Sequence, residues 1–183
     1  MTNDRASWQV KGESILSELV GLMGLSKDEG ALLASLHATA KAAGPDMTKQ
    51  FYERLFAHGN TAEYLQGASM ERLHSMVGDW FADLFGGTYD EAYASKRLTI
   101  GQIHVRIGLP VRYPLAMLDV VIPFGEKVTQ QSSDPAKALA AFRKVLALDV
   151  AIFNQAYEDN QLHHLSDLVG GERLARRLLA GQA

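Results

Sequence analysis

The chain has 183 residues, 47% of them hydrophobic and 21% charged, and no cysteine. That balance suits one globular domain with a sizeable core and excludes wholesale disorder. The lack of thiols excludes disulfides, thiolate-bound metal, iron–sulfur clusters and a cysteine nucleophile. Eighteen basic residues against 21 acidic leave a net charge of −3 and no broad basic field, so nucleic acid is not an expected partner.

In chain order, Met1 to Lys11 is polar and lacks the apolar heart of a signal peptide. Apolar spacing predicts a leading helix over Ser7 to Met23, interrupted by Gly24. Ser26 opens the next helix, with Glu29 placed as its capping-box partner. Gly44-Pro45-Asp46 reads as a joint, and a third helix runs from Met47 to Ala57 with Phe51, Tyr52, Leu55 and Phe56 on one side. A short helical piece follows through Tyr64 and Leu65. Ser69 opens a strongly striped helix carrying Leu73, Met76, Val77, Trp80, Phe81 and Leu84, stopped by Gly86-Gly87.

The next helix spans Asp90 to Leu109, with Ile100, Ile103, His104 and Ile107 on one face and Pro110 closing it. Helix resumes near Val111 and continues to about Gln131, with a bend at Pro123. The richest apolar run, Leu115 to Phe124, holds Asp119 and Pro123 and is too short to span a membrane. Asp134-Pro135 starts a long helix with a stripe of Leu139, Phe142, Leu146, Val150, Phe153 and Tyr157, reaching toward Leu168. Gly170-Gly171 breaks the chain before a short amphipathic tail helix. No strand or repeat is legible. The expectation is an all-α chain of about seven to nine helices, cytoplasmic, with no membrane partner.

The common catalytic templates are absent: no GxSxG, no phosphate-cradling loop, no HExxH and no GxGxxG. His104 is the informative residue. An imidazole on an apolar face needs partners for its nitrogens. One reading is a core-edge histidine bonded to a backbone carbonyl. The other is a metal ligand. No His, Asp or Glu sits at ligand spacing beside it, so a bare transition metal is excluded, whereas a haem iron needs one histidine and apolar walls.

Ile100-Gly101-Gln102-Ile103-His104-Val105-Arg106-Ile107-Gly108-Leu109-Pro110 resembles the proximal haem-ligand segment of the globin-coupled sensor family. Phe51-Tyr52-x-x-Leu55-Phe56 is similar to that family's distal segment, and Leu73 to Leu84, with Trp80, to its distal wall. Helix order agrees from about Ser26 to His164. The resemblance implies a globin-like fold with an extra N-terminal helix: 1–25 an extension, 26–168 a globin sensor domain, and 169–183 a tail or linker toward an output domain.

It further implies haem b, with His104 as the iron ligand and Tyr52, Leu73, Ile100, Ile107 and Trp80 around the ring. Tyr52 would donate to bound gas, and Leu73 would limit water. If Leu73 faces the haem, a one-residue step turns His74 about 100° aside, which argues against His74 as a distal ligand. Arg106 fits either a propionate contact or a solvated face. The implied function is sensing of a diatomic gas: oxygen first, with nitric oxide and carbon monoxide sharing the pocket. The signal would pass through a homodimeric interface of the helices from Val111 and from Asp134, the stripe from Leu139 to Tyr157 exceeding what one small core needs, to a C-terminal output such as a diguanylate cyclase or kinase. The chain itself is then no enzyme. A haem-free globin-like signalling module and a stand-alone gas-binding or redox globin are the alternatives.

Overall fold

The structure is a computed structural model that describes residues 5–11 and 13–181. Among them there are ten α-helical segments and no strand. They are α1 (Glu13–Met23), α2 (Lys27–Ala34), α3 (His37–Phe56), α4 (Gly59–Ala62), α5 (Met70–Asp83), α6 (Glu91–Arg106), α7 (Arg112–Ala116), α8 (Leu118–Thr129), α9 (Pro135–Val169) and α10 (Glu172–Leu179).

Local chemistry accounts for four of the starts. Ser26 accepts from the Glu29 N–H while the Glu29 carboxylate takes the Ser26 N–H, a complete capping box. Ser69, Asp90 and Asp134 cap α5, α6 and α9 through their side-chain oxygens. The leading helix is shorter than its pattern: a 3-10 turn over Ala6–Gln9 precedes α1. The Val111–Gln131 stretch divides at Met117, whose N–H bonds back to Tyr113 and Pro114.

The Gly44-Pro45-Asp46 joint does not form. Helix α3 runs straight through it, with Pro45 on the exposed face, where the carbonyl freed by the missing N–H meets water. Gly44, Met47, Thr48 and Tyr52 are all buried, so packing holds both halves in one helix. At Gly44 a Cβ would lie 3.7 Å from the Gly78 Cα of α5, a close glycine-lined approach of two helices. The break falls earlier, at Ser35-Leu36. There the Ser35 hydroxyl competes for the Leu32 carbonyl and the Leu36 N–H bonds to Leu33.

Helix α9 is the spine. Its most buried line is Ala138, Ala141, Phe142, Val145, Leu148, Asp149, Ile152 and Ala156, rotated from the stripe read in the sequence. Alanines occupy this face because other helices come close. A Cβ on Gly101 of α6 would stand 2.6 Å from the Ala156 Cβ, and one on Gly125 of α8 would stand 2.0 Å from the Phe142 ring. The main core joins α2, α3, α5, α8 and α9, and a second cluster sets Leu16 of α1 against Tyr93, Ala94, Leu148 and Ile152. Gly170 ends α9 in the left-handed conformation at φ 80°, and α10 follows. Lys11 pairs with Glu172 at 2.6 Å, tying the N-terminal segment to α10.

Candidate functional site

His104 stands in the last turn of α6, and the residues after it explain why the helix ends there. Gly108 takes φ +71°, its N–H bonds to the Val105 carbonyl, and the Leu109 N–H bonds to the His104 carbonyl. This is a Schellman stop, with Pro110 barring further helix. The Tyr157 hydroxyl donates to the Leu109 carbonyl at 2.9 Å and anchors the stop to α9.

The imidazole is partly buried and packs edge-on to Phe153, ring centroids 5.3 Å apart. Its Nδ1 lies 2.7 Å from the Ile100 carbonyl. A carbonyl only accepts, so Nδ1 carries the proton and neutral His104 keeps its lone pair on Nε2. Burial pulls its pKa below the usual histidine value, against the upward pull of the Ile100 bond, which favours that neutral form.

Tyr52 is buried on α3, and its hydroxyl donates to the Leu73 carbonyl at 3.2 Å. Burial pushes the phenol pKa up to about 12, so the proton stays on at neutral pH. The ring beside it is His74, at 4.8 Å between centroids. The Thr48 hydroxyl donates to the Pro45 carbonyl, so its oxygen accepts from His74 Nδ1 at 3.0 Å. His74 Nδ1 is therefore the donor in that bond. His74 packs on Tyr52, while Leu73 meets that hydroxyl through its backbone.

Leu73 and Ile100 are half-buried, whereas Ile107 is 51% exposed and Ile103 40%. Phe56 and Met76, on α3 and α5, are similarly open. Large apolar side chains thus stay uncovered on the helices that carry Tyr52, His74 and His104, or just past their ends. Arg106 is exposed. Trp80 is half-buried, and its indole N–H donates to Asp149 at 3.1 Å.

The donor set fits the haem expected from the resemblance. Among the described residues no group of three His, Cys, Asp or Glu is placed to hold a metal ion by itself. A single oriented imidazole beside uncovered apolar side chains suits a metal whose other ligands come from a flat macrocycle.

Sequence reading missed a buried charged cluster. Asp149 of α9 pairs with Arg97 of α6 and accepts from the Tyr93 hydroxyl at 2.8 Å. Arg97 is 1% exposed and stacks over the Tyr93 ring. Burial pushes the Asp149 carboxyl up, while the Arg97 charge and the donated hydrogen bonds pull it back. A lone acid inside the apolar run Val145 to Ile152 was the available signal.

A family model described as Protoglobin matches residues 12–163. Over 170 residues the chain is 25% identical to the haem-based aerotactic transducer HemAT of Halobacterium salinarum, covering 85% of this chain and 35% of that protein. The chain therefore spans about a third of that relative's length. Among solved structures it is similar to the globin domain of the Geobacter sulfurreducens globin-coupled sensor. The TM-score is 0.72 at 29% identity, over 77% of this chain and 96% of the other. The globin domain of E. coli DosC matches with TM-score 0.63 at 17% identity, over 78% and 99% of the two chains, a likeness of fold. No helix of the described residues is long and apolar enough to cross a membrane.

Proposed function

The chain belongs to the Protoglobin family, and from that premise we propose that it is a haem-based gas-sensing domain, oxygen being the first candidate gas, with haem b as its cofactor. The observation that carries this reading is the His104 imidazole, fixed by the Ile100 carbonyl with Nε2 left as a lone-pair donor. The name of the aerotactic relative supports it. When bound, the haem supplies an iron centre that takes up a diatomic gas reversibly.

This chain's own residues do the rest. His104 holds the iron. Ile100, Ile107, Leu73 and Trp80 supply apolar wall that limits water. Tyr52 keeps a phenol proton available in a poorly hydrated setting, where a hydrogen bond is strong. Its present acceptor is a carbonyl within helix α5, which also takes a helical N–H, so the phenol can turn to a new acceptor without leaving that carbonyl unpaired.

The test is a visible spectrum of the purified protein, reduced and then exposed to oxygen. A Soret band that shifts reversibly with the gas supports the reading. No Soret band after added hemin overturns it in favour of a haem-free globin-like module. Tyr52→Phe removes the phenol donor and is expected to raise the oxygen dissociation rate about tenfold by stopped flow, the worth of one good hydrogen bond. An unchanged rate would return Tyr52 to packing alone.

The finer part of the proposal is relay through a symmetric dimer to an output domain, such as a diguanylate cyclase, in a longer protein, this chain not itself being an enzyme. The α9 stripe lends it little, because Phe142, Leu146, Phe153 and Tyr157 are engaged within the chain. Support comes from leucines left exposed at the end of α9 and on α10: Leu168 at 83%, Leu174 and Leu179. Sedimentation velocity is expected to read a dimer, and a monomer at high concentration would remove this part.

A further inference from the structure

Donors from two helices converge on one buried carboxylate of a third. Asp149 Oδ1 receives the Tyr93 hydroxyl at 2.8 Å and faces Arg97 Nε, both from α6. Asp149 Oδ2 receives the Trp80 indole N–H at 3.1 Å, from α5. Trp80 lies about two helical turns beyond His74, and Arg97 about two turns before His104. The helices bearing His74 and His104 therefore meet α9 at one side chain.

The two attachments are unequal. Helix α6 is held by the Arg97 ion pair, by Tyr93, and by the Gly101–Ala156 contact, where the helix backbones nearly touch. Trp80 reaches Asp149 through one neutral donor. Asp83 at the end of α5 also pairs with Lys96 and Arg97 of α6, so the two helices are tied there. Hydrogen bonds weaken steeply with distance and angle, so a small shift of the middle of α5 against α9 breaks the Trp80 link first. Asp149 is buried and Trp80 half-buried, and the loss is felt at α9 as a buried carboxylate short of one donor.

We propose that Asp149 is a positioning residue for gas sensing and that the Trp80–Asp149 hydrogen bond carries a change in the pocket to helix α9. The proposal rests on the haem reading above. A ligand shifts α9 only by favouring one arrangement of α5 over another, and this bond is an element that differs between them.

Hydrogen exchange read by mass spectrometry on the haem-loaded protein, reduced with and without carbon monoxide, tests it. Haem content is matched by Soret absorbance, and the α9 amides around residues 145–153 are followed. Trp80→Phe keeps an aromatic ring and removes the N–H. It is expected to shrink the ligand-dependent change in exchange about fivefold, the worth of one such bond. Tyr93→Phe also removes one donor to Asp149 but leaves Arg97 in place, and is expected to preserve the change. Equal effects of the two variants, or no effect of Trp80→Phe, would overturn the proposal, since a merely structural bond treats both alike. If Trp80→Phe fails to fold, ultraviolet resonance Raman in a Trp8→Phe background decides. A Trp80 N–H band that moves toward weaker hydrogen bonding on carbon monoxide binding supports it, and an unmoved band overturns it. If no haem binds, the parent reading falls and takes this one with it. If haem binds and reports carbon monoxide while α9 exchange ignores Trp80→Phe, this proposal alone falls.

Discussion

His104→Ala is expected to abolish the gas-responsive Soret band, while His74→Ala retains one. Both imidazoles donate through Nδ1 to an oxygen, so that bond alone does not separate them. Their support does. His104 is tied to a backbone carbonyl of its own helix at 2.7 Å, backed by Phe153, and set just before a stop anchored to α9 by Tyr157. That is the rigid second layer an axial ligand needs. His74 rests on a threonine hydroxyl and on the Tyr52 ring. Removing the His104 imidazole leaves apolar walls that can still take up hemin loosely, so the reversible shift with oxygen is the quantity to read, rather than colour. Added imidazole is expected to restore the band to His104→Gly by filling the space of the missing ring. A normal gas-dependent spectrum in His104→Ala would move the iron ligand elsewhere.

Asp149→Ala is expected to lower folding stability by about 3 kcal/mol, because it takes from a buried guanidinium its nearest counter-charge and leaves only the longer Asp83 contact at 3.6 Å. Arg97 is 1% exposed and Asp149 is 4% exposed, so water does not take over the pairing. The three guanidinium nitrogens are buried without a well-aligned hydrogen bond, and the close approach to Asp149 is their main compensation. Urea unfolding of the haem-free chain measures the loss. Replacing both charges, Arg97→Met with Asp149→Leu, is expected to recover part of it: no charge is left to desolvate, but the Tyr93 hydroxyl and the Trp80 N–H lose their acceptor. A loss below about 1 kcal/mol for Asp149→Ala would mean that Asp83 or water balances Arg97 instead.

Where local chemistry governs, the sequence was sufficient. Capping side chains at Ser26, Ser69, Asp90 and Asp134 place helix starts within a residue, because each answers the N–H groups of its own first turn. Gly108-Leu109-Pro110 places the end of α6, and with it His104, by backbone geometry alone. The all-α class was legible from spacing, the globin-like fold from the family resemblance of the long mixed pattern around His104, and the structural likenesses agree.

Tertiary structure decided what local signals cannot weigh. Pro45 should stop a helix, yet buried Gly44, Met47 and Thr48 on either side keep α3 whole. The inward face of α9 is rotated toward its alanines, since small side chains let Gly101 approach, an advantage invisible until the partner helix is known. Ionised side chains read as surface until their partners appear, so Arg97 and Asp149, 52 positions apart in the sequence, became a buried pair only on folding. His74 met Tyr52 by the same route, across the α3–α5 contact. A sequence states what each residue requires of its neighbours; which distant residue meets the requirement is set by the packing of whole helices, where burial removes water as the alternative partner.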